Sequence, residues 1–194
     1  MLELHWMRLA IVALMLVAVF GLATQLLEEL PIAAGLLLVA YWASSPIFHW
    51  VKKRFVRPVI MFDLHGVYFT GDLALVNFHP MQGMPELVER LRQRYCVVAF
   101  TNMSPELFNF WNSRWGITGK FDYVFFSGKI RAKKPDPQAF KIIVSQLGVK
   151  PSDIVFFDDV VENVKGAASV GIKAVHFQSP SQAVSALREM GVKI

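Results

Sequence analysis

The sequence predicts an α/β fold: a doubly wound, mainly parallel five-stranded sheet of the Rossmann type, preceded by a transmembrane helical hairpin. Three observations predict it. From residue 58 onward, short β-branched and aromatic runs alternate with helical stretches, the pattern of successive βα units. Three of those runs end in polar residues, Asp63, Thr101-Asn102 and Asp158-Asp159, and chemistry in open α/β sheets sits at that edge. The whole chain is 54% hydrophobic with a mean hydropathy of +0.41, high for an ordinary soluble domain.

The apolar excess is concentrated at the start. Leu9 to Leu27 is interrupted only by Thr24 and Gln25, and at ~1.5 Å per residue such a helix approaches the ~30 Å hydrocarbon core of a bilayer. Glu28-Glu29 and Leu30-Pro31 make a tight acidic turn, and a second apolar run follows from Ile32 to about Trp42 and on through Ile47-Phe48. Trp6, Tyr41, Trp42 and Trp50 stand at one end of each run, as interfacial anchors do. The expected domains are therefore a membrane hairpin over 1–50 (helices at about 9–27 and 31–48), a basic juxtamembrane linker over 51–57, and an α/β domain over 58–194. A second run this short also fits a re-entrant or interfacial segment. The flanking Arg8, Lys52, Lys53, Arg54 and Arg57 put both ends, and the α/β domain, on the cytoplasmic side. Residues 1–50 carry a net charge of −2 and the remainder +7, which together give the +5 of the chain. That basic part suits anionic headgroups or phosphorylated substrates, and equally a solvated surface; no nucleic-acid partner is expected. The single cysteine, Cys96, excludes an internal disulfide and a cysteine-rich zinc site.

Each element of the α/β domain has its own signal. Val59 to Asp63 reads as a buried strand. Val67 to Phe78 has β character around Gly71-Asp72, a hairpin turn signal. Leu87, Val88 and Leu91 share one face of a helix from Met84 to Arg94. Cys96 to Phe100 is a second strand. Ser104-Pro105 opens a helix to about Trp115, with a capping serine and a proline at the first position. Tyr123 to Phe126 is a third strand. Asp136-Pro137 opens a helix that Gly148 ends after Leu147. Ile154 to Asp158 is the fourth strand, with a short helix over Val161 to Val170. Lys173 to His176 is the fifth, and Ser179-Pro180 caps a last helix to about Met190.

The polar strand ends and the segment Lys133-Lys134-Pro135-Asp136-Pro137 can meet at one sheet edge. Carboxylates from two strands make a hard, oxygen-rich site suited to Mg²⁺. A hydroxyl at a helix N-terminus seats phosphate, and a lysine offsets charge on phosphoryl oxygens. A metal-bound aspartate can attack phosphorus.

In order and spacing, Asp63-Leu64-His65-Gly66-Val67, Thr101-Asn102, Lys134-Pro135-Asp136-Pro137 and Phe156-Phe157-Asp158-Asp159-Val160-Val161-Glu162-Asn163 resemble the motifs of the haloacid dehalogenase-like hydrolase superfamily. The resemblance covers roughly Pro58 to Ile194. It implies that Asp63 is the nucleophile and a Mg²⁺ ligand. The backbone carbonyl of His65 and the carboxylate of Asp159 would be further ligands, with Asp158 holding coordinated waters. Thr101 and the amide of Asn102 would bind the phosphoryl group, and Lys134 would stabilise charge on it. Lys133 is the alternative register for that lysine. His65 departs from the family, whose phosphatases carry a second aspartate there to protonate the leaving group and then activate water. An imidazole can in principle do both jobs. The substitution leaves three roles open: a working acid/base, a changed hydrolytic reaction, or a degenerate site.

Only 37 residues separate Asp63 from Thr101, too few for the helical cap that family members insert there. A capless, open site is expected, roofed by the 67–78 hairpin, the membrane or a second copy of the chain. Tyr68, Phe69 and Phe78 either face such a partner or pack over the sheet. The reading is a membrane-anchored, Mg²⁺-dependent phosphomonoesterase acting through an aspartyl-phosphate on a membrane-proximal or lipid-linked phosphate. The alternatives are a hydrolase of different chemistry and a non-enzymatic interaction module of the membrane.

Overall fold

A computed structural model describes residues 58–72 and 77–194 of the chain. The expected hairpin helices at 9–27 and 31–48 and the basic linker at 51–57 lie outside the described residues. Among the described residues no helix is long and apolar enough to cross a membrane.

Among the described residues, seven strands and seven α-helices follow one another: β1 (Val59–Phe62), β2 (Phe69–Thr70), β3 (His79–Pro80), α1 (Met84–Arg92), β4 (Cys96–Thr101), α2 (Pro105–Trp115), α3 (Ile117–Lys120), β5 (Tyr123–Phe126), α4 (Ser127–Ile130), α5 (Pro137–Leu147), β6 (Ile154–Asp158), α6 (Val161–Ala168), β7 (Lys173–His176) and α7 (Pro180–Glu189). Five of the strands form one sheet in the order β5-β4-β1-β6-β7, every neighbouring pair parallel. β1 and β6 are buried at every position, the sign of strands covered on both faces. The period of two then sorts their side chains. Ile60, Phe62, Val97, Ala99, Val155 and Phe157 join Leu87 and Leu91 of α1, Trp111 of α2 and Leu187 of α7 in one core. Val59, Met61, Val98, Phe100 and Phe156 join Phe140 and Ile143 of α5 and Ala167 of α6 in the other.

The chain leaves β1 for β4 and β5 on one side, then returns to β6 and β7 on the other. The reversal falls beside β1, where crossovers diverge and leave a crevice at the carboxyl edge. Three helices start as the sequence signals. Ser104 Oγ accepts from the amide of Leu107 at 3.3 Å, Asp136 Oδ1 from Gln138 at 2.8 Å, and Ser179 Oγ from Gln182 at 3.1 Å, each with proline next.

The segment after β1 differs from expectation in its turn. β2 and β3 pair antiparallel, Phe69 with Pro80 and Thr70 with His79, so the hairpin exists. Gly71-Asp72 is not its two-residue turn, because the connection runs from Gly71 to Phe78. The Asn77 side chain accepts from the Asp72 amide at 2.6 Å and takes over the closing role. Gly71 has φ +97°, and a Cβ there would collide with the Asn77 carbonyl. Tyr68, Phe69 and Phe78 are buried and face inward rather than toward a partner. Phe69 stacks on Phe78 at 4.5 Å, Phe78 meets Trp111 at 4.6 Å, and Tyr68 meets Phe121 edge-on at 5.0 Å. The hairpin is thus riveted to α2 by aromatic contacts.

Trp111 is the largest side chain in that layer and has no exposed surface. Trp111→Ala is expected to destabilise the domain by ~3–5 kcal/mol, read as a fall in the urea midpoint with the slope of the transition kept.

Candidate active site

The carboxyl edge beside β1 gathers the expected residues around one ammonium group. Lys134 is 3% exposed. Its Nζ lies 2.8 Å from Asp63 Oδ1 and 2.6 Å from Asp158 Oδ2, and donates to the Phe100 carbonyl at 3.0 Å. An ammonium has three protons, and these three acceptors account for all of them. The rings of Phe100 and Phe156 flank it at 5.2 and 5.5 Å. Of the two lysines in register contention, Lys133 is exposed and Lys134 is the one buried among the strand ends.

Each partner is fixed by its own element. The Asp63 amide donates to the Phe157 carbonyl at 2.9 Å, extending the β1–β6 ladder by one residue, and Oδ1 accepts from the Leu64 amide at 2.7 Å. Thr101 ends β4, buried and in register with Phe126 of β5. Asn102 follows it and clamps the Lys134 backbone from both sides: Nδ2 donates to the Lys134 carbonyl at 2.9 Å, and Oδ1 accepts from the Lys134 amide at 3.0 Å. The sequence suggested an Asn102 amide contact to phosphate; the contact present is that of the side chain, which holds the lysine backbone. Both Asp158 oxygens are engaged, Oδ2 by Lys134 and Oδ1 by the Val160 amide and Asn163 Nδ2, each at 2.9 Å. Asp159 is the opposite case. Its Oδ1 is buried with no hydrogen-bond partner.

His65 is exposed at the foot of the hairpin. Its ring lies 5.9 Å from that of Phe78 at an interplanar angle of 19°, and Nε2 is 3.2 Å from the Gly71 carbonyl. A carbonyl can only accept, so Nε2 carries a proton and Nδ1 is the nitrogen left for other chemistry. Two further residues, quoted within the motifs but given no role there, support the site. Asn163 braces Asp158 from the first turn of α6. Gly66, at φ +81°, leaves room for Asp159, since a Cβ there would fall on Asp159 Oδ2. Both lie inside the motifs that carry the resemblance, but their roles, a brace on Asp158 and room for Asp159, depend on contacts that only the fold makes.

Asp63, Asp158 and Asp159 each bring an oxygen within 4.8 Å of the others. Three carboxylates face one ammonium, leaving two negative charges in excess in a largely buried site. An all-oxygen donor set with a buried, unpartnered carboxylate oxygen fits a hard divalent cation. In the metal-free site, burial pushes the Asp63 carboxyl up to about 6, the Lys134 charge pulls it down, and the Asp158 charge adds to the rise.

Comparison with known proteins places this geometry in a family. The model of the haloacid dehalogenase-like hydrolases matches residues 57–171. Flavin mononucleotide hydrolase 1 of Arabidopsis thaliana is 28% identical over 134 residues, 69% of this chain and 53% of that protein. A phosphatase of Mycobacterium tuberculosis is 43% identical over 53 residues, 27% of this chain and 24% of its own length. The chain thus spans about half, or less, of these curated relatives. Among solved structures, a HAD-like family hydrolase from Porphyromonas gingivalis aligns with a TM-score of 0.59 and 18% identity, over 72% of this chain and 99% of that one. A HAD family enzyme from Bacteroides thetaiotaomicron, in complex with magnesium and inorganic phosphate, aligns with a TM-score of 0.56 and 16% identity over 64% and 95%. At these identities the structural likeness speaks for the fold.

The raised Asp63 group has a consequence for stability. An acid whose pKa is higher folded than unfolded favours the folded state when protonated, and that contribution disappears as pH climbs from the model-peptide value of 3.8 to about 6. Metal-free protein is therefore expected to lose the Asp63 share of its stability across that window. Denaturation curves of wild type and Asp63→Asn, compared from pH 4 to pH 7.5 in a chelator, should diverge, with the wild type losing more.

Proposed function

The chain belongs to the haloacid dehalogenase-like hydrolases, and on that premise we propose that it is a Mg²⁺-dependent phosphomonoesterase working through an aspartyl-phosphate on Asp63. The observation that carries this is the buried Lys134 ammonium bridging Asp63 and Asp158, beside the unpartnered oxygen of Asp159. The Arabidopsis and mycobacterial relatives, a flavin mononucleotide hydrolase and a phosphatase, support the same reaction class.

Asp63, Asp159 and the His65 carbonyl would hold the Mg²⁺, with Asp158 beside them; the cation supplies the positive charge that lets a phosphoryl group approach these carboxylates. Thr101 and the Asn102 amide hold phosphoryl oxygens, and Lys134 stabilises the charge that moves between Asp63 and the phosphoryl group. A carboxylate oxygen of Asp63 bonds to phosphorus as the ester P–O bond breaks. The leaving oxygen takes a proton from Nδ1 of a His65 imidazolium. Water then attacks the aspartyl-phosphate, returns a proton to Nδ1, and releases phosphate and free Asp63. Throughout, Nε2 keeps its proton and donates it to the Gly71 carbonyl, so the hairpin keeps the working nitrogen of His65 unchanged between the two half-reactions. His65 here does both jobs of the missing aspartate.

We take the substrate to be a membrane-proximal or lipid-linked phosphate. The basis is the proposed cytoplasm-facing tether, the helical hairpin over 9–27 and 31–48 with its basic linker over 51–57, together with the capless site. A soluble monoester is the second reading. It rests on β1 running from Pro58 toward Asp63, which puts the point where the chain enters the domain and the nucleophile on opposite edges of the sheet.

The test is turnover by the full chain in detergent. An aryl phosphate should be hydrolysed with Mg²⁺ and not with a chelator, and Asp63→Asn should cut kcat by at least about a thousandfold. A wild type that is inert while His65→Asp gains activity would replace the proposal with a degenerate or repurposed site. Phosphatidic acid in vesicles, set against a soluble sugar phosphate, distinguishes the two substrate readings.

A further inference from the structure

Asp159 is held in an unusual way for a carboxylate at the centre of a site. Its Oδ1 is buried and unpartnered, while both oxygens of neighbouring Asp158 are bonded. Among the described residues no hydrogen bond holds the Asp159 carboxylate, so its aim depends on its backbone and on packing in the space beside Gly66. That backbone has one side-chain partner from another element. His176, the last residue of β7, has Nε2 3.0 Å from the Asp159 carbonyl. The carbonyl can only accept, so Nε2 donates. His176 is itself placed by the sheet. It stands opposite Asp158 in the parallel register, the next residue, Phe177, donates its amide to the Asp158 carbonyl at 2.9 Å, and Gln182 of α7 donates to the His176 carbonyl at 3.3 Å.

We propose that His176 is a positioning residue for Asp159: its Nε2–H, clamped on the Asp159 carbonyl, aims the carboxylate at the metal position. The inference rests on the metal reading of the site given above. The ring is exposed and carries out no chemistry of its own; it acts only through Asp159. Partners of this outer kind orient metal ligands, and their loss typically weakens metal affinity by 10–100-fold. What the role requires is one N–H donor at the position of Nε2, not an imidazole and not a proton-transfer group.

The experiment is calorimetric titration of Mg²⁺ into the full chain in detergent, for wild type, His176→Gln, His176→Ala and His176→Phe, with a thermal melt of each metal-free protein. Glutamine can place a donor near Nε2, whereas phenylalanine keeps the ring shape without one. Gln is expected to bind Mg²⁺ as wild type does. Ala and Phe should bind about tenfold more weakly, with melting temperatures kept. Wild-type affinity in Phe and Ala would overturn the inference, as would Gln failing alongside them. A wild type that binds no Mg²⁺ would overturn the metal reading itself and the inference with it, and is told apart by the wild-type titration alone.

Discussion

The three-point bond of the Lys134 ammonium is the constraint on which the rest of the site depends. Burying a lone ammonium is prohibitively costly, and so is burying carboxylates beside it without compensation. Each group is tolerable only because the others are in place. Lys134 needs Asp63 from β1, Asp158 from β6 and the Phe100 carbonyl from β4, which are adjacent strands of one sheet. The lysine thus ties the carboxyl ends of three strands together, and misregistration of any one would leave a buried charge unpaired. Asn102 completes the arrangement from β4 by gripping the lysine's own backbone, so both ends of the residue are fixed by the strand that also delivers Thr101.

The sheet makes this possible by keeping its two cores independent of its edge. Alternate residues of β1 fill opposite layers, Ile60 and Phe62 on one side and Val59 and Met61 on the other, so the strand is anchored before it reaches Asp63. The Asp63 amide still belongs to the ladder through Phe157, while its carboxyl is already in the site. Rigid support and the reactive carboxyl meet within one residue. The same economy appears on β6, where Asp158 is the final strand residue and Asp159 the first beyond it.

Much of this was legible in the sequence, because strand ends announce themselves where a buried apolar run meets an acid or a hydroxyl. Asp63, Thr101 and Asp158 are such junctions, and the Ser-Pro and Asp-Pro pairs mark helix starts for an equally local reason. What stayed hidden depended on distant groups. The loop after Gly71 is closed by an asparagine side chain rather than by a turn dipeptide. Helices α3 and α4, of four residues each, are too short to show a period. Between Lys133 and Lys134 the sequence alone leans on a neighbouring Pro-Asp-Pro, and only the fold shows which of the two is buried. Asn163 and His176 act on atoms that only the fold brings near.

Excess negative charge gives the site its chemical direction. With Lys134 bonded to Asp63 and Asp158, Asp159 is left without a counter-charge among these groups, and its Oδ1 without a hydrogen bond. A structural ion-pair network would settle toward neutrality; this one is built two charges short of it, with Gly66 reserving the space for the unpaired carboxylate. Such an arrangement is costly to fold and gains only when something cationic arrives. The same excess disfavours any further anion in the metal-free site, so on the proposed reaction a phosphoryl group would follow the cation. What prepares the site for a cation is local: one glycine that leaves room for Asp159 and one carboxylate oxygen without a hydrogen bond.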